Sequence, residues 1–128
     1  MADDPGSVVE RYYATVADLR ASPDSLRELL HPDLRVIEHP NAIHPEGTVR
    51  DHDDVVAAYE QGKRMLSDQR FELDELLVFG DRVAVRARWS GTLESGATLE
   101  ARIAAFLTVV DGRIRDHETY DCYSPLEL

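Results

Sequence analysis

Cysteine is almost missing from this 128-residue sequence, and basic residues are scarce. The single cysteine, Cys122, excludes a disulfide within the chain and is typical of a protein from a reducing compartment. Only 14 Lys and Arg stand against 25 Asp and Glu, which gives a net charge of −11. That charge opposes unaided binding to nucleic acid or to an anionic membrane surface. We therefore expect neither of these as a partner.

Long apolar runs are absent too, since no segment approaches the roughly 18 apolar residues of a membrane-spanning helix. The N-terminus, Met1–Pro5, has neither the basic flank nor the apolar stretch of a signal peptide. A cytoplasmic location is expected. The hydrophobic share of 43% is ordinary for a globular protein, and the length fits one domain over residues 1–128 with a core and a pocket.

Helical patterns fill the first half of the chain. Ser7 and Glu10 have the spacing of a capping box, and the helix that they open carries an apolar stripe of Val8, Val9, Tyr12, Val16 and Leu19. A short second helix begins at Ser22-Pro23-Asp24. Asp51 is placed to cap a third helix that runs to about Leu66, with a buried stripe of Val55, Tyr59, Gly62 and Leu66 in which Gly62 allows another element to approach closely.

Strand patterns dominate the second half. A brief strand over 34–38 ends at Pro40, and residues 41–50 form a loop or a short hairpin. Segments 71–79, 83–89, 98–110 and 114–123 are rich in β-branched and aromatic residues and are separated by turn dipeptides such as Asp111-Gly112. Helices followed by strands predict an α+β fold. We expect a cone-shaped, curved antiparallel sheet wrapped around the N-terminal helices, with room for a small molecule.

The sequence resembles the nuclear transport factor 2-like superfamily, and within it the SnoaL-like polyketide cyclase and ketosteroid isomerase branch. The segments that carry the resemblance, in order along nearly the whole chain, are Val9-Glu10-Arg11-Tyr12, Val36-Ile37-Glu38-His39-Pro40, Gly80-Asp81-Arg82-Val83-Ala84-Val85 and Asp111-Gly112-Arg113-Ile114. The resemblance implies an NTF2-like cone and a homodimer paired through the outer sheet face. Members of the superfamily include isomerases, cyclases, dehydratases, epoxide hydrolases and non-catalytic binding modules, so the fold alone does not choose among them.

The resemblance also suggests roles for individual residues. Tyr12 matches the tyrosine that donates a hydrogen bond to an oxyanion in ketosteroid isomerases, and His39 occupies the position of their catalytic base. Ala105 falls near the place of their protonated acid, so that part of the constellation is missing. Asp121 matches the last-strand aspartate that polyketide cyclases use as acid and base. The epoxide hydrolase pattern of Arg-x-Asp is replaced by Arg86-x-Arg88.

His39 and Asp121 are the main candidates on chemical grounds. An imidazole titrates near pH 6.5 and can exchange a proton at neutral pH, and alternation places His39 on the face of Ile37. The other interpretation of His39 is a half-exposed ring bonded to a loop carbonyl. Asp121 shares a face with Arg115, His117, Thr119 and Tyr123 if the strand has no bulge, whereas one bulge would bring the set containing Glu118 inward. Our hypothesis pairs His39 with Asp121 in one cavity, and a solvated carboxylate is the other interpretation of Asp121.

The remaining candidates shape the pocket. We expect Tyr12 to stabilise charge on a ligand oxygen, and Asn41, Tyr59, Trp89 and His117 to orient the ligand. The other interpretation of Tyr12, Tyr59 and Trp89 is plain core packing, which is the more frequent role of such rings. His39 and His44 lie near Glu38 and Glu46, but the loop around His44 is interrupted by proline, so no metal is predicted. The sequence carries no Gly-rich phosphate loop, GxSxG or CxxC motif, and no cofactor is expected.

These observations predict an enzyme that isomerises, cyclises or dehydrates a hydrophobic carbonyl compound, polyketide-like or steroid-like, by proton transfer without a cofactor. His39 would move the proton and Asp121 would assist or relay it. Two alternatives stay open: a non-catalytic ligand-binding module, and a dimerisation module whose cone is filled by side chains.

Overall fold

The computed structural model describes residues 4–126, so residues 1–3 of the N-terminal segment considered above lie outside it. Three helices and six strands are found in that range. The helices are α1 (Pro5–Ala17), α2 (Pro23–Arg27) and α3 (His52–Met65). The strands are β1 (Leu30–Glu38), β2 (Thr48–Arg50), β3 (Leu66–Phe79), β4 (Arg82–Leu93), β5 (Thr98–Val110) and β6 (Arg113–Tyr123). The predicted α+β class and curved sheet are confirmed.

The six strands form one sheet in the order β2-β1-β6-β5-β4-β3. Every neighbouring pair in it is antiparallel except β1 and β6, which run parallel. The predicted antiparallel sheet is therefore a mixed one, because β1 precedes the helical crossover and inserts beside the last strand. The loop of residues 41–50 is the predicted short hairpin, with Val36 opposite Arg50.

Helix α1 begins differently from the prediction. Asp4 is the N-cap, and its carboxylate accepts a bond of 3.0 Å from the backbone N–H of Ser7. The predicted Ser7–Glu10 capping box is wrong, because Pro5 occupies the first helical position and moves the start three residues earlier. The apolar stripe through Val8, Val9 and Tyr12 is buried as predicted.

Helix α3 keeps its predicted start. Asp51 and Asp54 form a reciprocal capping box, with bonds of 2.9 and 3.1 Å between each carboxylate and the other residue's backbone N–H. Tyr59 is buried on this helix. The predicted close approach at Gly62 is wrong, because no atom lies within 4 Å of the place where a Cβ would stand. Gly62 borders open space instead.

The core lies between the helices and the inner face of the sheet. Alternate residues of β4 and β5 point into it, among them Val83, Val85, Ile103 and Leu107. On the outer face of the same strands, Arg88 bonds Glu72 and Asp74, and Arg86 pairs with Glu75. These arginines therefore lie on the outer face opposite carboxylates.

Strand β6 contains a bulge that decides which of its residues face inward. Ile114 pairs with Val109 and Asp116 pairs with Thr108, so Arg115 is the extra residue. Beyond the bulge, His117, Thr119, Asp121 and Tyr123 alternate on the inner face, whereas Glu118, Tyr120 and Cys122 alternate on the outer one. The set that contains Asp121 therefore faces the core, and the set that contains Glu118 faces outward. Because Arg115 is the bulged residue, it does not belong to the inner set, in which it was predicted to lie.

Candidate functional site

An apolar cavity of about 260 Å³ lies between the three helices and the inner sheet face. Helices α1 and α3 supply most of its wall, and β1, β2 and β3 close the other side. The lining residues are Tyr12, Val16, Leu19, Leu26, Val36, Arg50, Val55, Ala58, Tyr59, Gly62, Lys63, Leu66 and Gln69. The predicted stripe of α3 therefore faces this cavity, which explains why Gly62 meets open space.

Tyr12 lines the cavity and is joined to a buried histidine. Its hydroxyl lies 3.0 Å from Nδ1 of His117, and the hydroxyl of Tyr13 lies 3.4 Å from Nε2 of the same ring. Burial lowers the pKa of His117 to about 4 and raises the pKa of both tyrosines. A neutral imidazole thus connects two neutral phenols at the centre of the inner face.

Glu38 is a carboxylate on the inner face that was not among the predicted catalytic residues. It pairs with Thr119 of β6 across the parallel ladder, so both side chains point to the inner face. Its side chain is only 11% exposed. It accepts hydrogen bonds from Asn41 at 2.7 Å, Arg50 at 3.2 Å and Thr48 at 3.4 Å. Arg50 also lines the cavity, so this ion pair forms part of the polar end of the site.

Asp121 is half-buried on the same face as Glu38. Thr119 donates a hydrogen bond of 2.6 Å to its carboxylate. Burial raises the pKa of Asp121 and the charge of Glu38 adds to the shift, while the Thr119 bond and the charge of His44 oppose it. Asp121 lies outside the cavity wall and acts electrostatically on Tyr13 and Tyr123. Asp121 is therefore a carboxyl group that is suited to holding a proton beside a second carboxylate, Glu38.

His39 points to the other side of the sheet. Its Nε2 lies 2.8 Å from the carboxylate of Glu118, and its ring stacks on Tyr120 with a centroid distance of 4.2 Å. Both partners belong to the outward set of β6. The predicted His39–Asp121 pair in one cavity is therefore wrong: β1 directs Val36 and Glu38 inward, so His39 follows Ile37 to the outer face.

The other predicted ligand-orienting residues are held by protein contacts. Tyr59 lines the cavity with its ring, while its hydroxyl donates to the carbonyl oxygens of Asp18 and Ala21 at 2.7 and 3.1 Å. The indole N–H of Trp89 donates to Gln69 at 2.9 Å, so Trp89 supports a cavity-lining residue.

Asn41 stands in the β1–β2 loop rather than in the cavity wall. It fixes Glu38 through its side-chain N–H, and its oxygen accepts bonds from two backbone N–H groups of the loop, those of Ile43 and His44. Asn41 is therefore placed to position the carboxylate of Glu38.

Glu38, Arg50 and Tyr13 belong to this site but were not predicted from the sequence, and a sequence signal was available for Glu38. Leu34 and Val36 are the apolar positions of β1, and strict alternation from them places Glu38 inward. Tyr13 was harder to select, because it lies at the edge of the apolar stripe of α1 and not at its centre.

Within residues 4–126, no group of three or more His, Cys, Asp or Glu side chains is arranged to hold a metal ion. The helices of the same range include none that is both long and apolar enough to cross a membrane.

The curved sheet, the three helices and the cavity between them define an NTF2-like α+β protein. The model of the SnoaL-like domain family matches residues 9–117, and the chain belongs to that family. No curated protein matches the sequence.

Solved structures of the same fold carry several activities in their descriptions. IdmH from Streptomyces antibioticus, a proposed polyketide cyclase, is 26% identical over 93% of this chain and 92% of its own, with a TM-score of 0.74. An NTF2-like protein from Burkholderia thailandensis is 25% identical over 93% and 91%, with a TM-score of 0.72. A LEH-like epoxide hydrolase from M. tuberculosis, 14% identical over 91% and 81% with a TM-score of 0.74, shares the fold.

Proposed function

We propose that this protein is an enzyme that isomerises or cyclises a small hydrophobic carbonyl compound by proton transfer, with Asp121 as the group that carries the proton. The observation that supports this proposal most directly is the placement of Asp121: a half-buried carboxyl on the inner face, beside Glu38, with its pKa raised by burial. Groups tuned in this way are common in acid–base catalysis. The description of IdmH, a protein of similar sequence, as a proposed polyketide cyclase points in the same direction.

The reaction that fits these groups is removal of a proton from carbon next to a carbonyl. Ionised Asp121, which lies on the same sheet face beyond the cavity wall, would take the proton from the part of the substrate that extends past that wall. The electrons would move to the carbonyl oxygen, where Tyr12 can donate a hydrogen bond to the developing charge. Asp121, now protonated, would return the proton at a second carbon or oxygen. The Arg50–Glu38 pair at the polar end of the cavity would orient the carbonyl end of the substrate.

The cavity also limits the size of the substrate. Its volume of about 260 Å³ lies just below the roughly 300–1,000 Å³ typical of pockets for drug-sized ligands. The wall consists mainly of aliphatic and aromatic side chains. A ligand with one or two rings and a carbonyl group fits this description better than a four-ring steroid.

A proton-transfer assay tests the proposal without knowledge of the natural product. The wild-type protein is first screened by thermal shift with monocyclic and bicyclic ketones, hydroxy-ketones and lactones. A ligand at about 100 times its dissociation constant stabilises the protein by roughly 2.7 kcal/mol. Each ligand that stabilises is then incubated with the protein in D2O, and the exchange of its α-hydrogens is followed by NMR.

The expected result is catalysed exchange that falls by about 10²-fold or more in Asp121→Asn. Asp116→Asn is the matched control, because Asp116 is on the same strand but faces outward and pairs with Arg115. Glu38→Gln should slow exchange as well. Full exchange by Asp121→Asn would refute the role of Asp121.

A non-catalytic ligand-binding module is the second candidate. It is favoured by the Arg50–Glu38 ion pair, because Arg50 lines the cavity and compensates the charge of the Glu38 carboxylate. For this candidate, a ligand would stabilise the wild-type protein strongly without any exchange of its α-hydrogens.

Homodimerisation through the outer sheet face is proposed alongside either function. Phe106 and Tyr120 are 43% and 42% exposed there, next to the His39 ring, and an exposed apolar patch of this kind is typical of an interface. Sedimentation equilibrium should give twice the chain mass. A monomer mass that does not change with concentration would contradict the dimer.

A further inference from the structure

The imidazole of His117 is buried between two tyrosine hydroxyls. Tyr12 approaches Nδ1 at 3.0 Å and Tyr13 approaches Nε2 at 3.4 Å. The two tyrosine rings meet the imidazole edge-on, with centroid distances of 5.4 and 6.0 Å. Because burial holds the pKa of His117 at about 4, the ring is neutral at physiological pH.

A count of hydrogens shows that the two phenols cannot play the same role. A neutral imidazole has one nitrogen that donates and one that accepts, and each phenol has a single hydrogen to donate. In the Nε2–H tautomer, Tyr12 donates to Nδ1, and the hydroxyl hydrogen of Tyr13 is free. In the Nδ1–H tautomer, Tyr13 donates to Nε2, and the hydrogen of Tyr12 is free.

The surroundings of the two hydroxyls differ. Tyr12 lines the ligand-sized cavity, whose wall is mainly apolar. Tyr13 packs against Phe71 and lies in the electrostatic field of Asp121. Without a ligand acceptor, a free Tyr12 hydrogen would face a mainly apolar wall, which favours the Nε2–H tautomer, in which Tyr12 donates to Nδ1. The free hydrogen of Tyr13 is then attracted by the carboxylate of Asp121.

We propose that His117 is a positioning residue that acts through Tyr12: a ligand oxygen in the cavity selects the Nδ1–H tautomer, in which Tyr12 donates its hydrogen to that oxygen. This proposal rests on the proposed function for the existence of an oxygen-bearing ligand, and it adds a recognition rule. The cavity takes molecules that present a hydrogen-bond acceptor at Tyr12 and discriminates against hydrocarbons of the same shape. The number of hydrogens on the three side chains is unchanged between the two tautomers.

The test compares cyclohexanone with methylenecyclohexane, which replaces the carbonyl oxygen by a CH2 group. The wild-type protein is labelled with 15N-histidine, and the ring nitrogens are observed by long-range 1H–15N NMR during titration with each compound. A nitrogen that carries hydrogen is well separated in 15N shift from one that does not. The His117 signals are identified as those that move most in Tyr13→Phe.

The expected result is an Nε2–H ring in the free protein that becomes Nδ1–H as cyclohexanone saturates the cavity, with no change of tautomer for methylenecyclohexane. Cyclohexanone should bind roughly tenfold more weakly to Tyr12→Phe, since one hydrogen bond is lost. Tyr120→Phe is the matched control, because it removes a tyrosine hydroxyl on the outer sheet face, where the ring stacks on His39, and it should retain the preference for the ketone.

Three results would overturn the proposal: an unchanged tautomer at saturation, an Nδ1–H ring already in the free protein, or no saturable binding of cyclohexanone. A structural role for His117 alone would leave the tautomer unchanged on titration. The proposed function can fail separately, because a tautomer change without α-hydrogen exchange would leave the recognition rule intact and remove the catalytic assignment.

Discussion

Burial keeps the pKa of His117 at about 4, against 6.5 for an exposed imidazole, and this difference should make the stability of the protein depend on pH. The native ring resists protonation, whereas the ring in the unfolded chain accepts a proton at its ordinary pKa. Protons therefore bind preferentially to the unfolded state as the pH falls. The free energy of unfolding is therefore not reduced by His117 above pH 6.5. It decreases as the pH falls from 6.5 toward 4, because the unfolded chain then binds a proton that the native ring does not.

The size of the effect can be worked out from the two pKa values of 6.5 and about 4. Linkage gives a free energy of unfolding about 2 kcal/mol lower at pH 5 than at pH 7 from this residue alone. The complete loss, reached below the native pKa, is about 3 kcal/mol, since each pKa unit corresponds to about 1.4 kcal/mol. This is a substantial part of the roughly 5–15 kcal/mol that stabilises a typical domain.

The assay is urea unfolding of the wild type and of His117→Gln at several pH values between 7 and 5. The glutamine variant can be less stable at every pH, and the quantity compared is the slope of stability against pH. Asp121, whose raised pKa gives a slope of opposite sign, is present in both proteins and cancels in the difference. His52→Gln is a control, because its ring pairs with Asp53, whose side chain is 97% exposed.

The wild type should lose about 2 kcal/mol more than His117→Gln between pH 7 and pH 5. His52→Gln should follow the wild type. If the wild type and His117→Gln lose stability in parallel, His117 is not held neutral by burial, and the description of the Tyr12–His117–Tyr13 contact is refuted.

Further predictions concern the hydroxyl of Tyr12, the β1–β2 turn and the outer sheet face. Tyr12→Phe should lower the free energy of unfolding by about 1–3 kcal/mol in urea denaturation, because it leaves a buried ring nitrogen without a partner; a loss below about 0.5 kcal/mol would contradict this. Gly47→Ala should be more destabilising than Gly80→Ala: both glycines have positive φ, but a Cβ at Gly47 would lie 2.6 Å from a backbone oxygen of β1, whereas Gly80 faces open space. If Gly47→Ala and Gly80→Ala lose the same stability, the contact between the new Cβ at position 47 and the β1 backbone oxygen costs no free energy. His39→Ala should leave α-hydrogen exchange unchanged because its ring lies on the outer face; lost exchange in a folded variant would restore His39 as a catalytic candidate.

Much of the fold could be predicted from local patterns. Helix α3 is a clear case, since Asp51 supplies the cap and the 3.6-residue period supplies the cavity-facing stripe. The start of α1 could not be decided in the same way. Asp4 and Ser7 are both good capping residues, and only the position of Pro5 relative to the packed stripe selects Asp4.

The site was harder to predict because it depends on which side of each strand faces the core. Alternation groups Ile37 with His39, and Leu34 and Val36 with Glu38, so apolar residues lie on both faces of β1. Ile37 suggested the wrong pair, because its half-buried side chain lies on the outer face near Phe106 and Glu118. The parallel pairing of β1 with β6 settles the choice, and that contact joins residues about 80 positions apart, such as Ile37 and Glu118. The bulge at Arg115 is likewise set by pairing with β5 rather than by local sequence.

The two inner carboxylates have different surroundings, and this difference assigns their roles. Glu38 accepts hydrogen bonds from an amide, a hydroxyl and a guanidinium, so its charge is compensated where it stands. Asp121 accepts one bond, from Thr119, while burial and the charge of Glu38 both oppose its ionisation. In the proposed reaction, Asp121 would therefore hold the proton, and Glu38 with Arg50 would form a fixed electrostatic frame. Because two neighbouring carboxylates can divide acid–base work only when their environments differ, the bonds that Asn41, Thr48 and Arg50 make to Glu38 are as necessary to the proposed reaction as the burial of Asp121.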